Sequence, residues 1–425
     1  MCKSRSTKKT NKGGKINKME KKTFKTDKWF VSPWNYEEVV TKNFNFAKKI
    51  KIHDVSLRDG EQQAGLIFNK DQKVALAEKL AEVGVDRIEA GMPAVSDQDK
   101  SAIEEIVKRN FGPEIFAFAR CMKEDIKKAA DTGVDGVIVE IPSSEHIIKN
   151  AYKWSLEKAM NLSVEATKYA EELGLYTVFF PIDMTRADMN WVLTLIEKVA
   201  TEGHMDALAV VDTFGGLAPH AVPNLIKRVK ERIDKPIEVH FHDDFGLGAA
   251  NTIMALAAGA EVMHTTICGI GERAGNAPYE DIVLSLLTMY GIDLGIKYEK
   301  IYETAKFLRE ISGLNVRQNR PIFGDTIYDI ESGIISAWYE NVKDTAPLEL
   351  SPFLPSLIGH NQSKIVMGKN SGIPSIDNWL RELNLTVESE EKKMEILLKV
   401  KEKAYIKAGL LSKEEFKEIV KEFSN

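Results

Sequence analysis

The sequence predicts a (β/α)8 barrel followed by a mostly helical C-terminal appendage. Three observations lead there. From Lys51 to about residue 290, short apolar runs alternate with longer runs of helical period, which is the signature of a parallel sheet wrapped by helices. Glycines at Gly84, Gly133, Gly174 and Gly259 fall just after the helical runs, where a left-handed C-terminal cap is needed. The rhythm stops after Gly291. A doubly wound sheet is the runner-up, but it usually has fewer units and a marked glycine-rich first turn.

The strand candidates, in order, are Ile52–Ser56, Arg87–Ala90, Ile115–Ala119, Gly136–Glu140, Tyr176–Phe180, Ala207–Val211, Ile237–Phe241 and Val262–Ile267. Between them, Asp71–Val83 places Val74, Leu76, Ala77, Leu80 and Val83 at spacings near three and four, one face of a helix. Leu156–Leu173, Trp191–Ala200, Val222–Ile233 and Gly248–Ala258 repeat the pattern. Gly-Val-Asp occurs at residues 84–86 and 133–135, one helix-to-strand connection used twice.

The chain divides into five stretches. Residues 1–28 are Lys-rich and polar and read as a disordered tail, with a polyanion-binding arm as the alternative. Residues 29–49 carry Trp29, Phe30, Trp34, Tyr36, Phe44 and Phe46 and are expected to cover the barrel bottom or a neighbouring subunit. Residues 50–295 form the barrel. Residues 296–375 open with a helix, Tyr298–Ser312, then turn Pro- and Gly-rich with short helical pieces. Residues 376–425 read as charged amphipathic helices, Glu388–Lys401 and Ser412–Phe423.

Composition narrows the function classes. Hydrophobic residues are 44% and charged residues 28%, so a large core can form. A net charge of −5 gives no case for nucleic-acid binding. Cys2, Cys121 and Cys268 are too few and too scattered for a disulfide framework, which suits a reducing, cytoplasmic setting. No apolar run approaches the ~20 residues of a membrane span.

In such a barrel, reacting groups sit where strands end. His240 and His242 are two residues apart on a strand and face the same way, half of a divalent-metal site or a hydrogen-bonded surface pair. Strand 1 ends in Arg58-Asp59. Asp59 can complete a site of two imidazoles and one carboxylate, and Arg58 can stabilise an oxyanion; a local ion pair is the bland reading. Glu89 ends strand 2 and can recognise substrate or hydrogen-bond a loop. His146 follows strand 4, Asp183 follows strand 5, and Thr213 follows strand 6, where it can bind a carboxylate. Strand 8 runs into Gly269-Ile-Gly-Glu-Arg-Ala-Gly-Asn276, a turn able to present backbone N–H groups to an anion.

The chain resembles the isopropylmalate, homocitrate and citramalate synthase family, within the metal-dependent TIM-barrel Claisen enzymes that include the hydroxymethylglutaryl-CoA lyases. The matching pieces are Ser56-Leu-Arg-Asp-Gly-Glu-Gln62, Ile88-Glu-Ala-Gly-Met-Pro93, Ser143 with His146, Asp212-Thr213, His240-Phe-His-Asp-Asp-Phe-Gly246, the strand 8 loop, Glu331-Ser-Gly-Ile334, Tyr339-Glu340 and Met367-Gly-Lys-Asn-Ser-Gly372. The resemblance implies a divalent metal (Mg, Mn or Zn) held by Asp59, His240 and His242, with Asn276 as a nearby further ligand. It implies that Arg58 polarises the ketone of a 2-oxo acid, that Thr213 holds its carboxylate, and that Gln62, Glu89 and His146 complete the substrate site. Acetyl-CoA is the implied co-substrate and a homodimer the implied assembly.

Two departures stand out. Ile182 occupies a position where the synthases usually carry glutamate. In the appendage, Ile330-Glu-Ser-Gly-Ile-Ile335 lacks both of the usual histidines. An isoleucine can neither move a proton nor hydrogen-bond an enolate. Asp183, Tyr339, His146, Asp329 and Glu331 are the candidate substitutes, with Asp183 and Tyr339 put forward as catalytic. Three functions remain open: a Claisen synthase with altered proton-transfer residues, a C–C lyase or aldolase on the same scaffold, and a metal-binding homologue without turnover.

Overall fold

The computed structural model of the chain describes residues 24–423. The Lys-rich tail falls largely on residues 1–23 and so lies outside the described residues. Eight parallel strands close into a barrel in chain order: β1 (Lys51–Asp54), β2 (Arg87–Glu89), β3 (Glu114–Arg120), β4 (Gly136–Pro142), β5 (Tyr176–Ile182), β6 (Ala207–Asp212), β7 (Ile237–Phe241) and β8 (Val262–Thr265). β8 pairs back with β1, with His53 opposite His264. The ring thus leaves no strand edge open.

The helices form because their apolar residues share one face and their ends are capped. The helix Lys70–Val83 starts at Asn69, whose side chain accepts from the Gln72 amide while Gln72 reaches back. It buries Leu76, Ala77, Leu80 and Val83 against the barrel and ends at Gly84, whose φ of 103° suits glycine and little else. Gly133, Gly174 and Gly259 also have positive φ.

Strand limits differ from the sequence expectation where side chains intervene. β1 stops at Asp54 because the Ser56 amide turns back to the Asp54 carboxylate, 2.9 Å away. β8 stops at Thr265, since Ile267–Gly269 winds into a 3-10 turn. β4 and β5 run on to Pro142 and Ile182, which pair with each other. Proline is tolerated at these strand ends, where the ladder is finishing.

Side chains alternate across each strand. Outward residues join the helices in one large apolar core. Inward residues are mixed. Phe116, Phe118, Ile138, Val178, Phe180, Ala207, Ala209 and Val211 make an apolar half on β3–β6. Buried charged and imidazole groups, among them His53, Arg87, Glu89, Glu238, His240 and His264, fill the half built by β1, β2, β7 and β8.

The aromatic segment before β1 has two anchorages. Phe44 and Phe46 cluster with Tyr290, and the Asn45 amide donates to Ala257 O at a helix C-terminus. Helix C-termini lie at the bottom of the barrel, away from the strand C-terminal ends. Further upstream, Trp29 bridges to Phe353, and the Phe30 amide donates to Pro352 O.

The C-terminal region contains a helix (Gly333–Val342), a short parallel pair (Asp329–Ile330 with Lys364–Ile365) and three helices, Ile373–Glu382, Glu390–Lys407 and Lys413–Glu422. A second apolar cluster, from Ile365 through Trp379 to Val420, packs across residue 375 as one unit. Phe416 is fully buried there, edge-on to Trp379. Phe416→Ala is expected to destabilise this unit by about 3–4 kcal/mol in denaturant unfolding while leaving metal stoichiometry unchanged. No described helix is long and apolar enough to cross a membrane.

Candidate active site

Asp59 stands just beyond β1, His240 on β7 and His242 just after it, all at the strand C-terminal ends. Their nearest ligand atoms converge: His240 Nε2 is 3.5 Å and His242 Nε2 is 4.0 Å from Asp59 Oδ2, and the two imidazole nitrogens are 3.4 Å apart. Ligands held about 2.1 Å from one ion at roughly right or tetrahedral angles stand about 3.0–3.5 Å apart, so the cluster has the span of a mononuclear site. All three residues are buried.

The protonation states fit a cation. Burial drives His240 down to about 3, outweighing the pull of Asp59, so its imidazole is neutral. Burial lowers His242 as well. For Asp59 burial opposes the charge, but the Arg58 guanidinium and His240 hold its carboxyl well below the usual range. Asn276 is pinned through its amide nitrogen, which donates to Asp59 Oδ1 at 2.8 Å and Ile270 O at 3.1 Å. Among the described residues its buried Oδ1 has no hydrogen-bond partner, nor has His242 Nδ1. A buried oxygen without a donor is costly unless something else meets it, and a cation held by the neighbouring carboxylate and imidazoles would.

Arg58 is locked in place. Nε donates to Glu89, Nη1 donates to Asp59 Oδ2 at 2.7 Å, and the guanidinium lies 4.1 Å over the Phe118 ring. Among the described residues its buried Nη2 has no hydrogen-bond partner. Glu89 is fully buried, so in this geometry it orients Arg58. Below it lies a second grouping, His53, Glu238 and His264. There Glu238 accepts from Arg87 at 2.7 Å and meets His264 Nε2 at 2.8 Å, so both its oxygens are engaged. This is charge pairing deep in the barrel, and sequence reasoning missed it, since isolated residues on four strands carry no local motif.

The β4–β6 side of the mouth is a tight polar knot around Asp183. This residue has a φ of 60°, a left-handed conformation that aspartate tolerates. Its carboxylate accepts from Ser144 Oγ at 2.6 Å and from Arg186 Nε at 2.6 Å, and lies 3.0 Å from His146 Nε2. The Asp183 amide donates to Thr213 Oγ1 at 2.8 Å. Asp183 is therefore an anchor with both oxygens engaged, poorly placed to act as a free base. His146 and Thr213 reach the surface of the mouth, as does Gln62. Gln62 lines a cleft of about 280 Å³ shared with Arg58, Leu66, Ile67 and Met92.

Tyr339 is not brought to this mouth. Its hydroxyl donates to Ser363 O at 3.0 Å, and it packs on the C-terminal cluster. Ile330, Ile335 and Tyr339 instead line a largely apolar cavity of about 440 Å³ walled by Tyr328, Phe353 and Leu354. Ile182 packs against the apolar half of the barrel interior.

Glu140 was also missed. It ends an apolar run, Val137-Ile-Val-Glu140, at an inward position two residues after Ile138. An acidic residue at an inward position of a buried strand was the available signal.

Comparison with known proteins gives the family and the fold. Residues 49–308 match the HMGL-like family model. The chain is 40% identical, over 83% of its length and 71% of the relative's, to a protein of Archaeoglobus fulgidus assigned as an (R)-citramalate synthase. It is 36% identical to a homocitrate synthase of Methanothermobacter thermautotrophicus, covering 86% of this chain and 90% of that one. A 2-isopropylmalate synthase of Sulfolobus acidocaldarius is also 36% identical, over 84% and 91%. Among solved structures, a hydroxymethylglutaryl-CoA lyase of Pseudomonas aeruginosa shares the barrel, with a TM-score of 0.57 at 22% identity over 64% of this chain and 95% of that one. The chain belongs to the HMGL-like family and lies among those of its members that are named as synthases.

Proposed function

We propose that this protein is a Claisen-type acyltransferase that condenses acetyl-CoA, or a close acyl-CoA, with a 2-oxo acid, and that it works as a cytoplasmic homodimer. The observation that carries the reading is the convergence of Asp59, His240 and His242 at the barrel mouth beside Arg58 Nη2, which has no hydrogen-bond partner among the described residues. Asp59, His240 and His242, with Asn276 Oδ1, would hold a divalent cation (Mg, Mn or Zn), which when bound supplies Lewis-acid polarisation of a carbonyl.

The chain's own residues do the rest. Arg58 Nη2 has an N–H to hydrogen-bond the ketone oxygen as negative charge develops there, and Glu89, Asp59 and Phe118 keep it from swinging away. Thr213 Oγ1 accepts from the Asp183 amide, which leaves its own proton free for a substrate carboxylate. Gln62 and His146, on opposite sides of the mouth, are suited to the acyl-CoA and 2-oxo acid ends. Phe118 and Phe180 wall the site with apolar surface and limit water.

The test is release of free CoA thiol from acetyl-CoA by metal-loaded protein with a panel of 2-oxo acids. Thiol release that requires both the 2-oxo acid and the metal is the expected result. Silence there, together with acetyl-CoA or a 2-oxo acid formed from a branched hydroxy acid or its thioester, would make the protein a lyase. Silence in both assays with tight metal binding would leave a metal-binding homologue.

A further inference from the structure

We propose that Glu140 is the general base that takes the methyl proton of the acyl-CoA, in place of the glutamate that Ile182 replaces. This rests on the condensation reading above. The placement comes from the barrel register. Glu140 sits on β4 directly opposite Phe180 of β5, and Pro142 sits opposite Ile182, so the two positions lie on neighbouring strands within one pleat of each other. Ile138 faces the barrel interior, and Glu140, two residues further along, faces the same way nearer the mouth. Phe180, its register partner, lies beside His240, with ring centroids 5.1 Å apart, and Arg58 stands 5.9 Å over the same ring. The carboxyl is thus at the level of the site, one strand away from Ile182.

Its surroundings leave it free to act. Glu140 is only 8% exposed, yet among the described residues its carboxylate accepts no hydrogen bond and forms no ion pair. Buried carboxylates are normally tied down, and Asp183, Glu89 and Glu238 in the same barrel all are. Asp183 has no spare oxygen, and Tyr339 is engaged elsewhere. The groups that act on Glu140 are Arg58 after β1, Arg120 on β3 and Asp125 on the helix that follows; its charge in turn bears on Cys121 and Tyr152. Burial is the largest influence, outweighs the two arginines, and raises the carboxyl to about 7. A base with that proton affinity is half ionised near neutrality, where a general base works best.

The step balances. The Glu140 carboxylate takes a proton from the acyl methyl group. The C–H pair becomes the C=C bond of the enolate, and the thioester C=O π pair moves to oxygen. The enolate carbon then attacks the ketone carbon of the 2-oxo acid, and the ketone π pair moves to oxygen as an alkoxide that accepts a hydrogen bond from Arg58 and takes a proton from water, while protonated Glu140 returns its proton to solvent. Water then adds to the thioester carbon, and the C–S bond breaks to release CoA thiol.

The experiment compares wild type, Glu140→Gln and Glu140→Asp as metal-loaded full chains, with thiol release followed across pH for the best 2-oxo acid. Glu140→Gln is expected to lower kcat by about 10²-fold or more with the KM for the 2-oxo acid changed by less than about threefold. The wild-type rate is expected to rise with pH through about 7, because the base must be ionised. That acid limb is expected to vanish from the residual rate of Glu140→Gln. Glu140→Asp, with its carboxylate drawn back by one methylene, keeps the limb at a rate lower by about tenfold or more. If Glu140→Gln fails to fold or to load metal, Glu140→Asp decides. Wild-type turnover with a near-normal kcat in Glu140→Gln, or in Glu140→Asp, overturns the base and leaves the condensation standing. A wild-type chain that releases no thiol with any 2-oxo acid overturns both.

Discussion

Asp59→Ala is expected to abolish stoichiometric divalent-metal binding and to lower kcat/KM by about 10³-fold, roughly 4 kcal/mol of transition-state stabilisation. The size follows from what the residue does at once. It is the anionic donor of the cluster, 3.5 Å from His240 Nε2 and 4.0 Å from His242 Nε2. It also accepts from Arg58 Nη1 and from Asn276 Nδ2. Without it, two neutral imidazoles and an amide oxygen face a buried guanidinium with nothing to offset a divalent charge. His242→Ala should weaken metal binding in the same direction and leave Arg58 paired. Metal content by elemental analysis after dialysis, followed by calorimetric titration, measures both. Full metal occupancy in the double variant would mean that the site lies elsewhere.

Arg58→Ala should reduce kcat by about 10²–10³-fold, the usual loss when a donor to a developing oxyanion is removed. It should also destabilise the fold by about 3 kcal/mol, since Glu89 loses its cation inside the barrel. Glu89 is fully buried, and burial already raises its carboxyl despite the guanidinium beside it. Deleting Arg58 is therefore expected to raise the Glu89 carboxyl further, and uptake of a proton there trims the cost. Arg58→Ala/Glu89→Gln should recover part of the lost stability and none of the lost rate. Chemical denaturation reads the first and steady-state kinetics the second. Equal stability of the single and double variants would show that Glu89 is indifferent to its partner.

Much of the barrel was legible because its signals are local. Apolar runs of strand length and helical runs ending in glycine each sit within a dozen residues, and the matched motifs at β1, β7 and β8 are contiguous. His240 and His242 are readable as a pair because a strand repeats every two residues. Asp59 is 181 positions away from His240 in the chain (240 − 59), so only the barrel closure expected from the strand rhythm suggested that they meet. The limits of β1 and β8 were harder to read, because each is ended by a side-chain bond or a 3-10 turn.

The sequence by itself determined the (β/α)8 rhythm, the helical appendage and the residue types available at each strand end. Tertiary structure decided which of those residues are free. Asp183 and Glu140 are both acidic and both near strand ends, and the sequence reading put Asp183 forward among the candidate substitutes and did not consider Glu140. Folding surrounds Asp183 with Ser144, Arg186 and His146, and turns Glu140 inward beside Phe180 with no hydrogen-bond or ion-pair partner among the described residues. It also takes Tyr339 into the C-terminal cluster. The physical reason is that reactivity depends on desolvation and on unspent hydrogen-bonding capacity. Both are set by neighbours that arrive from distant parts of the chain.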